Sequence, residues 1–100
     1  MILKKENIPL SNEYRIAETA TFQKTIQKRE YKKIYSKIKS FIYPQLRVNP
    51  HFGQNIRKLK GECKNIYRYR IADYRLFYLI DEEKKLVFIL DFHHRKDAYK

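Results

Sequence analysis

Tryptophan is absent from these 100 residues, and cysteine and methionine occur once each. Glycine occurs twice and proline three times. One cysteine, Cys63, excludes a disulfide within the chain and any cysteine-built metal site, as expected of a chain in a reducing cytoplasm. It sits just ahead of a strand-like run and reads as a packing residue. No apolar run approaches the roughly 18 residues of a membrane span. The opening MILKKENIPL lacks the long apolar core of a signal peptide. Internal repeats and low-complexity segments are missing. Acidic residues are scarce: 11 Asp and Glu face 23 Lys and Arg, a net charge of +12. That excess is spread over both halves of the chain rather than held in one tail. With aromatic residues interleaved among the cations, it favours a polyanionic partner, nucleic acid first. A basic structural protein of the ribosome shares this balance.

A chain of 100 residues, 43% hydrophobic, makes one small domain with a single modest core. Its most informative stretch is Ile66 to Tyr99. Tyr67, Tyr69 and Ile71 alternate with Arg68 and Arg70, and Tyr74, Leu76 and Tyr78 alternate with Arg75, Phe77 and Leu79. A two-residue turn at Ala72-Asp73 pairs Ile71 with Tyr74, Arg70 with Arg75, Tyr69 with Leu76 and Arg68 with Phe77. All three arginines then share one face. Like charges directly opposed destabilise a sheet by about a few tenths of a kcal/mol, so an anionic partner explains what folding alone would avoid. Ala72 suits a tight turn poorly, and a looser turn would shift this register.

Residues 1–12 read as a lead-in segment and 13–100 as the domain. Glu13 to Glu18 is a short strand. Thr19 or Thr21 caps a short helix carrying Phe22 and Ile26 and ending near Arg29. Tyr31, Ile34, Tyr35, Ile38, Phe41 and Ile42 form the apolar stripe of a second helix, which Pro44 ends. That stripe is expected to pack on the Tyr67/Tyr69/Leu76/Tyr78 side of the sheet. Residues 45–61 form a connector in which Ile56 and Leu59 anchor one helical turn, with Arg57, Lys58 and Lys60 as a second basic cluster. After a turn at Asp81–Lys84, Leu86 to Phe92 is apolar enough to be a central strand. The order is βααβββ, an α+β fold with helices on one face of the sheet.

Three segments, LRVNPHFGQNIRKLKG, YRYRIADYRLFY and HHRKDAY, occur in that order behind a strand and two helices. Together they resemble the RelE/ParE superfamily of bacterial toxin–antitoxin toxins over about Tyr14 to Tyr99. The resemblance implies an antiparallel-rich sheet packed against two N-terminal helices. It also implies a cognate antitoxin and binding to operator DNA only together with that antitoxin. That family commonly has Gly where this chain has Ala72. RelE-like members cleave mRNA on the ribosome without a metal or other cofactor; ParE-like members poison DNA gyrase. A third possibility is a relative that binds RNA or antitoxin without cutting.

Cleavage by the RNA's own 2′-OH requires alignment, removal of the hydroxyl proton, stabilisation of the charged phosphorane and protonation of the leaving 5′-oxygen. By the resemblance, Arg75 grips the phosphate, Arg95 stabilises charge near the leaving group, and Tyr99 stacks on a base or shares in proton transfer. Arg68 and Arg70 hold RNA, with Arg57, Lys58 and Lys60 beside them. Arginine almost never releases its proton, so the base must be sought elsewhere. His93 and His94 titrate near neutrality, and strand alternation points one of them toward the arginines. Glu62 is a further candidate, His51 a structural or substrate contact, and Asp73 and Asp91 are placed to orient arginines. The RelE-like reading makes this chain a cytoplasmic mRNA endonuclease.

Overall fold

The computed structural model describes residues 13–61 and 64–96. The lead-in 1–12, Glu62, Cys63 and Tyr99 lie outside the described residues. Five strands form one sheet: β1 (Arg15–Glu18), β2 (Ile56–Lys58), β3 (Ile66–Ile71), β4 (Tyr74–Asp81) and β5 (Leu86–His94). Their spatial order is β1-β5-β4-β3-β2, parallel between β1 and β5 and antiparallel elsewhere. Strand β5 is flanked on both sides, as its apolar sequence implies. Helix α1 (Ala20–Ile26) and helix α2 (residues 32–48), entered through a 3-10 turn at Arg29–Tyr31, pack on one side. No helix among the described residues is long and apolar enough to cross a membrane.

The core lies between α2 and the sheet. Ile38, Ile42 and Leu46, four residues apart, are buried against Tyr69, Leu76, Tyr78, Val87 and Ile89. Each fully buried aliphatic side chain contributes about 1.5–3 kcal/mol. Tyr78 satisfies its buried hydroxyl by donating to the Pro50 carbonyl at 2.7 Å, and Tyr69 donates to Gln45 Oε1 at 2.8 Å. Tyr35 and Tyr43 both donate to Glu18 at the end of β1. Burial, and then the Glu18 carboxylate, push the Tyr35 hydroxyl up to about 12.

Three expectations are corrected. Pro44 does not end the second helix. Residues Ile38–Ile42 form a π-turn, with the Tyr43 N–H bonded to the Ile38 carbonyl, and Pro44 opens a further α-helical segment, Tyr43–Val48. Proline is tolerated in the first turn of a helical segment, where its missing N–H is not needed. The same π-turn advances the chain by less per residue than an α-turn. Ile42 falls back in line with Ile38, and Phe41 swings out to 67% exposure instead of joining the stripe. Finally, Ile56 and Leu59 anchor no helical turn: Ile56–Lys58 is strand β2, paired with Tyr67 to Tyr69.

The β3–β4 hairpin has the anticipated register from Ile71↔Tyr74 to Arg68↔Phe77, turning through Ala72-Asp73. Ala72 takes a left-handed φ of 53°, a conformation costing a non-glycine residue about 1–2 kcal/mol. In β5 the register jumps from Phe77↔Asp91 to Tyr78↔Ile89, leaving Leu90 as the extra residue of a bulge. Thr19 secures this point twice over. Its Oγ1 accepts the Phe22 N–H as cap of α1, and it donates to the Ile89 and Leu90 carbonyls at 2.7 and 3.1 Å.

At the far end of the sheet, around the β4–β5 turn, Glu82 collects partners. Tyr14 donates to its carboxylate at 2.8–2.9 Å, Lys85 approaches to 2.7 Å and His51 to 2.9 Å. The Lys85 ammonium, and then the Tyr14 hydroxyl, hold the Glu82 carboxyl below its ordinary value. Burial, and then Glu82, raise Tyr14.

Candidate nucleic-acid interface

The side of the sheet away from α2 carries the cations. Alternation in β3 turns Tyr67, Tyr69 and Ile71 inward and leaves Arg68 and Arg70 outward. Register then builds two rows across the strands. One runs Arg57, Arg68, Phe77, Asp91; the other runs Arg70, Arg75, His93. Arg75 is 7% exposed, an unusual burial for a guanidinium, whereas Arg70 is exposed.

The Leu90 bulge decides which histidine joins these rows. Counted from the buried Val87 and Ile89, simple alternation would send residues 91 and 93 inward. The extra residue reverses the phase: Phe92 is buried, and Asp91 and His93 stand with Phe77 and Arg75. His93 Nε2 lies 3.2 Å from Asp91 Oδ2, and its ring meets the edge of Phe77 at 5.6 Å. Asp91 is itself fixed, since its Oδ1 accepts from Thr25 Oγ1 at 3.0 Å and from the Phe92 N–H at 2.8 Å. His94 lies on the other face, edge-on to Tyr74, and its Nδ1 accepts the Lys96 N–H.

Beyond β5 the chain stays close to the hairpin turn, because the Arg95 N–H donates to the Asp73 carbonyl at 2.6 Å. That bond brings Arg95 to a hollow of about 280 Å³ lined by Arg70, Ala72, Asp73, Tyr74, Arg75 and Arg95. Three arginines around one hollow supply what an anion site needs. Each presents planar paired donors that match phosphate oxygens. A second, smaller hollow joins it through Arg70 and adds Gln54, Asn55, Arg57 and Arg68.

The sequence-derived set therefore divides. Arg57, Arg68, Arg70, Arg75, Arg95 and His93 come together. Lys58 and Lys60 line a separate hollow with Lys64 at the β2–β3 turn. His51 belongs to the Glu82 cluster at the opposite end. Gln54 and Asn55 were not anticipated, because a connector without periodicity gives no reason to single out its amides.

The family of the ParE toxin of the type II toxin–antitoxin system parDE matches residues 14–99. The chain belongs to that family. Among solved structures, the RelBE2 toxin–antitoxin complex of Mycobacterium tuberculosis is 26% identical, with a TM-score of 0.68 over 83% of this chain and 99% of that one. The chain matched in the DinJ–YafQ complex of E. coli is 16% identical, with a TM-score of 0.66 over 88% and 100%. A mutant of the E. coli toxin RelE in its free state is 18% identical, with a TM-score of 0.65 over 87% and 88%. The last two show the fold alone. No curated protein sequence matches the chain. This ParE-family chain is thus a toxin of the RelE/ParE superfamily with the RelE-like α+β fold.

Proposed function

We propose that this toxin is a metal-independent endoribonuclease that cuts mRNA on the ribosome. The observation that carries the reading is the convergence of Arg70, Arg75 and Arg95 on one hollow, with the Asp91–His93 pair on the same side of the sheet. The RNA 2′-oxygen attacks the adjacent phosphorus, and its proton passes to a base. The P–O5′ bond breaks, and the leaving 5′-oxygen takes up a proton. The products are a 2′,3′-cyclic phosphate and a 5′-hydroxyl. Arg75 and Arg95 hold the phosphoryl oxygens and neutralise the charge of the phosphorane. His93, oriented by Asp91, moves the proton, in preference to His94 on the opposite face. Tyr99 stacks on a base or assists proton transfer, and Arg57 and Arg68 hold the flanking strand.

The RelBE2 toxin–antitoxin complex, 26% identical in the matched chain, supports a cognate antitoxin as partner. In this reading the antitoxin covers the basic face and binds operator DNA together with the toxin. The proposed setting is the cytoplasm. A second reading, poisoning of DNA gyrase, is favoured by the ParE description of the matched family. A third keeps RNA or antitoxin binding without cleavage.

Induced expression of wild type beside Arg75→Ala and His93→Gln, with primer extension on a reporter mRNA, separates them. New 5′ ends within the coding frame, lost in both folded variants, are the expected result. Growth arrest with intact mRNA and broken chromosomes would transfer the assignment to gyrase. Neither arrest nor cleavage would leave a binding protein.

A further inference from the structure

Phe41 is the apolar side chain of the π-turn that stays out of the core, and it does not stand alone. It lines a hollow of about 250 Å³ between α2 and β3, together with Lys37, Asn55, Tyr69, Arg70 and Ala72. Arg70 and Ala72 line the anion site as well. The two hollows are therefore neighbours that share Arg70 and Ala72. A continuous α-helix would have kept Phe41 near the buried stripe; the π-turn exposes it beside the edge of β3 that runs on past β2 into the hairpin turn. Turns of this kind recur at functional sites.

Unstacked bases of single-stranded RNA are held by the groups found here: an aromatic face and an amide that both donates and accepts at the base edge. Asn55 supplies the amide, and its backbone is fixed by the Arg70 N–H donating to its carbonyl at 2.9 Å. Lys37 adds positive charge at the rim for the following phosphate. We propose that this hollow receives the flipped-out base of the nucleotide adjoining the phosphate in the Arg70/Arg75/Arg95 site, stacked on Phe41 and contacted at its edge by Asn55. The inference rests on the RNA reading of the anion site and deepens it: the toxin selects sequence at one neighbouring position. Purines, with the larger stacking face, are preferred there.

The test uses uncleavable 2′-O-methyl RNA tetranucleotides carrying 2-aminopurine on either side of the central phosphate, titrated with toxin at low salt. Binding should quench the fluorophore on one side only. Phe41→Ala should abolish that quenching and weaken binding about tenfold. Asn55→Ala should keep the quenching but lose discrimination between purine and pyrimidine at that position. Arg75→Ala should weaken all the oligonucleotides alike. Position-independent quenching, or quenching untouched by Phe41→Ala while Arg75→Ala still weakens every oligonucleotide, would overturn the base hollow. It would leave the phosphate site standing and the hollow to an apolar protein segment. No binding of any tetranucleotide to the wild type would remove both readings together.

Discussion

Around the β4–β5 turn one carboxylate, Glu82, gathers Tyr14, His51 and Lys85 within hydrogen-bonding distance. Around the β3–β4 turn, at the other end of the same strands, Arg70, Arg75 and Arg95 gather about a hollow. Among the described residues, no ion pair forms to Arg70 or Arg95 there. The first end gathers cation and donors about one carboxylate, and the second sets three arginines about a hollow in which Asp73 is the one acidic lining residue. What the contrast teaches is how to sort polar clusters in so basic a chain. At the first end a carboxylate meets the donors and cations that the fold brings to it; at the second, arginines of two strands and the following segment are brought side by side. Burial differs as well, since Arg75 is far less exposed than Glu82.

Substitutions at the two ends should separate activity from stability. The largest effect is expected from Arg75→Ala, with mRNA cleavage slowed about 100-fold or more. Initial rates from primer extension measure this, with circular dichroism confirming the fold; a loss below fivefold would end the case for Arg75 as a phosphate ligand. Next in size, Ala72→Gly relieves the left-handed φ and should raise stability by about 1 kcal/mol in urea denaturation while leaving the register unchanged. At the neutralised end, Tyr14→Phe removes a hydrogen bond to a carboxylate and should cost about 1 kcal/mol, with no change in cleavage.

The smallest effect concerns pH. Because the folded state depresses the Glu82 carboxyl, its contribution is present above the ordinary value of 4.5 and fades as pH falls below it. Glu82 is half-exposed, so the contribution stays below about 1 kcal/mol. Glu82→Gln should flatten the acid limb of the stability–pH curve, and an unchanged slope would mean the cluster adds nothing to folding.

The hairpin was legible in the sequence because period-two alternation fixes faces and a two-residue turn fixes register. Both survived an unsuitable Ala72. The arginine face followed from the same two facts. Strand β2 was not legible: Ile56-Arg57-Lys58 is too short to show alternation, and its register with β3 is fixed by tertiary pairing. The π-turn was hidden behind Pro44, whose usual meaning is a stop. The choice between His93 and His94 turned on Leu90, an apolar residue in an apolar run, which nothing in the local pattern marks as the inserted one. Periodicity reports faces only while the phase holds, and both departures that matter to the site, at Phe41 and at His93, are changes of phase.

The parallel pairing of β1 with β5 has a consequence for synthesis. Arg15 finds its partner at Leu86, and Glu18 finds its partner at Ile89. A growing chain that has not yet reached residue 86 has nothing for its first strand to pair with, and neither Asp91 nor His93 exists to face the arginines. Such long-range closure is slow to form. The sheet that carries the cationic face is therefore closed only when both ends of the domain are present. A chain stopped before residue 86 lacks β5 altogether, and with it the Asp91–His93 pair.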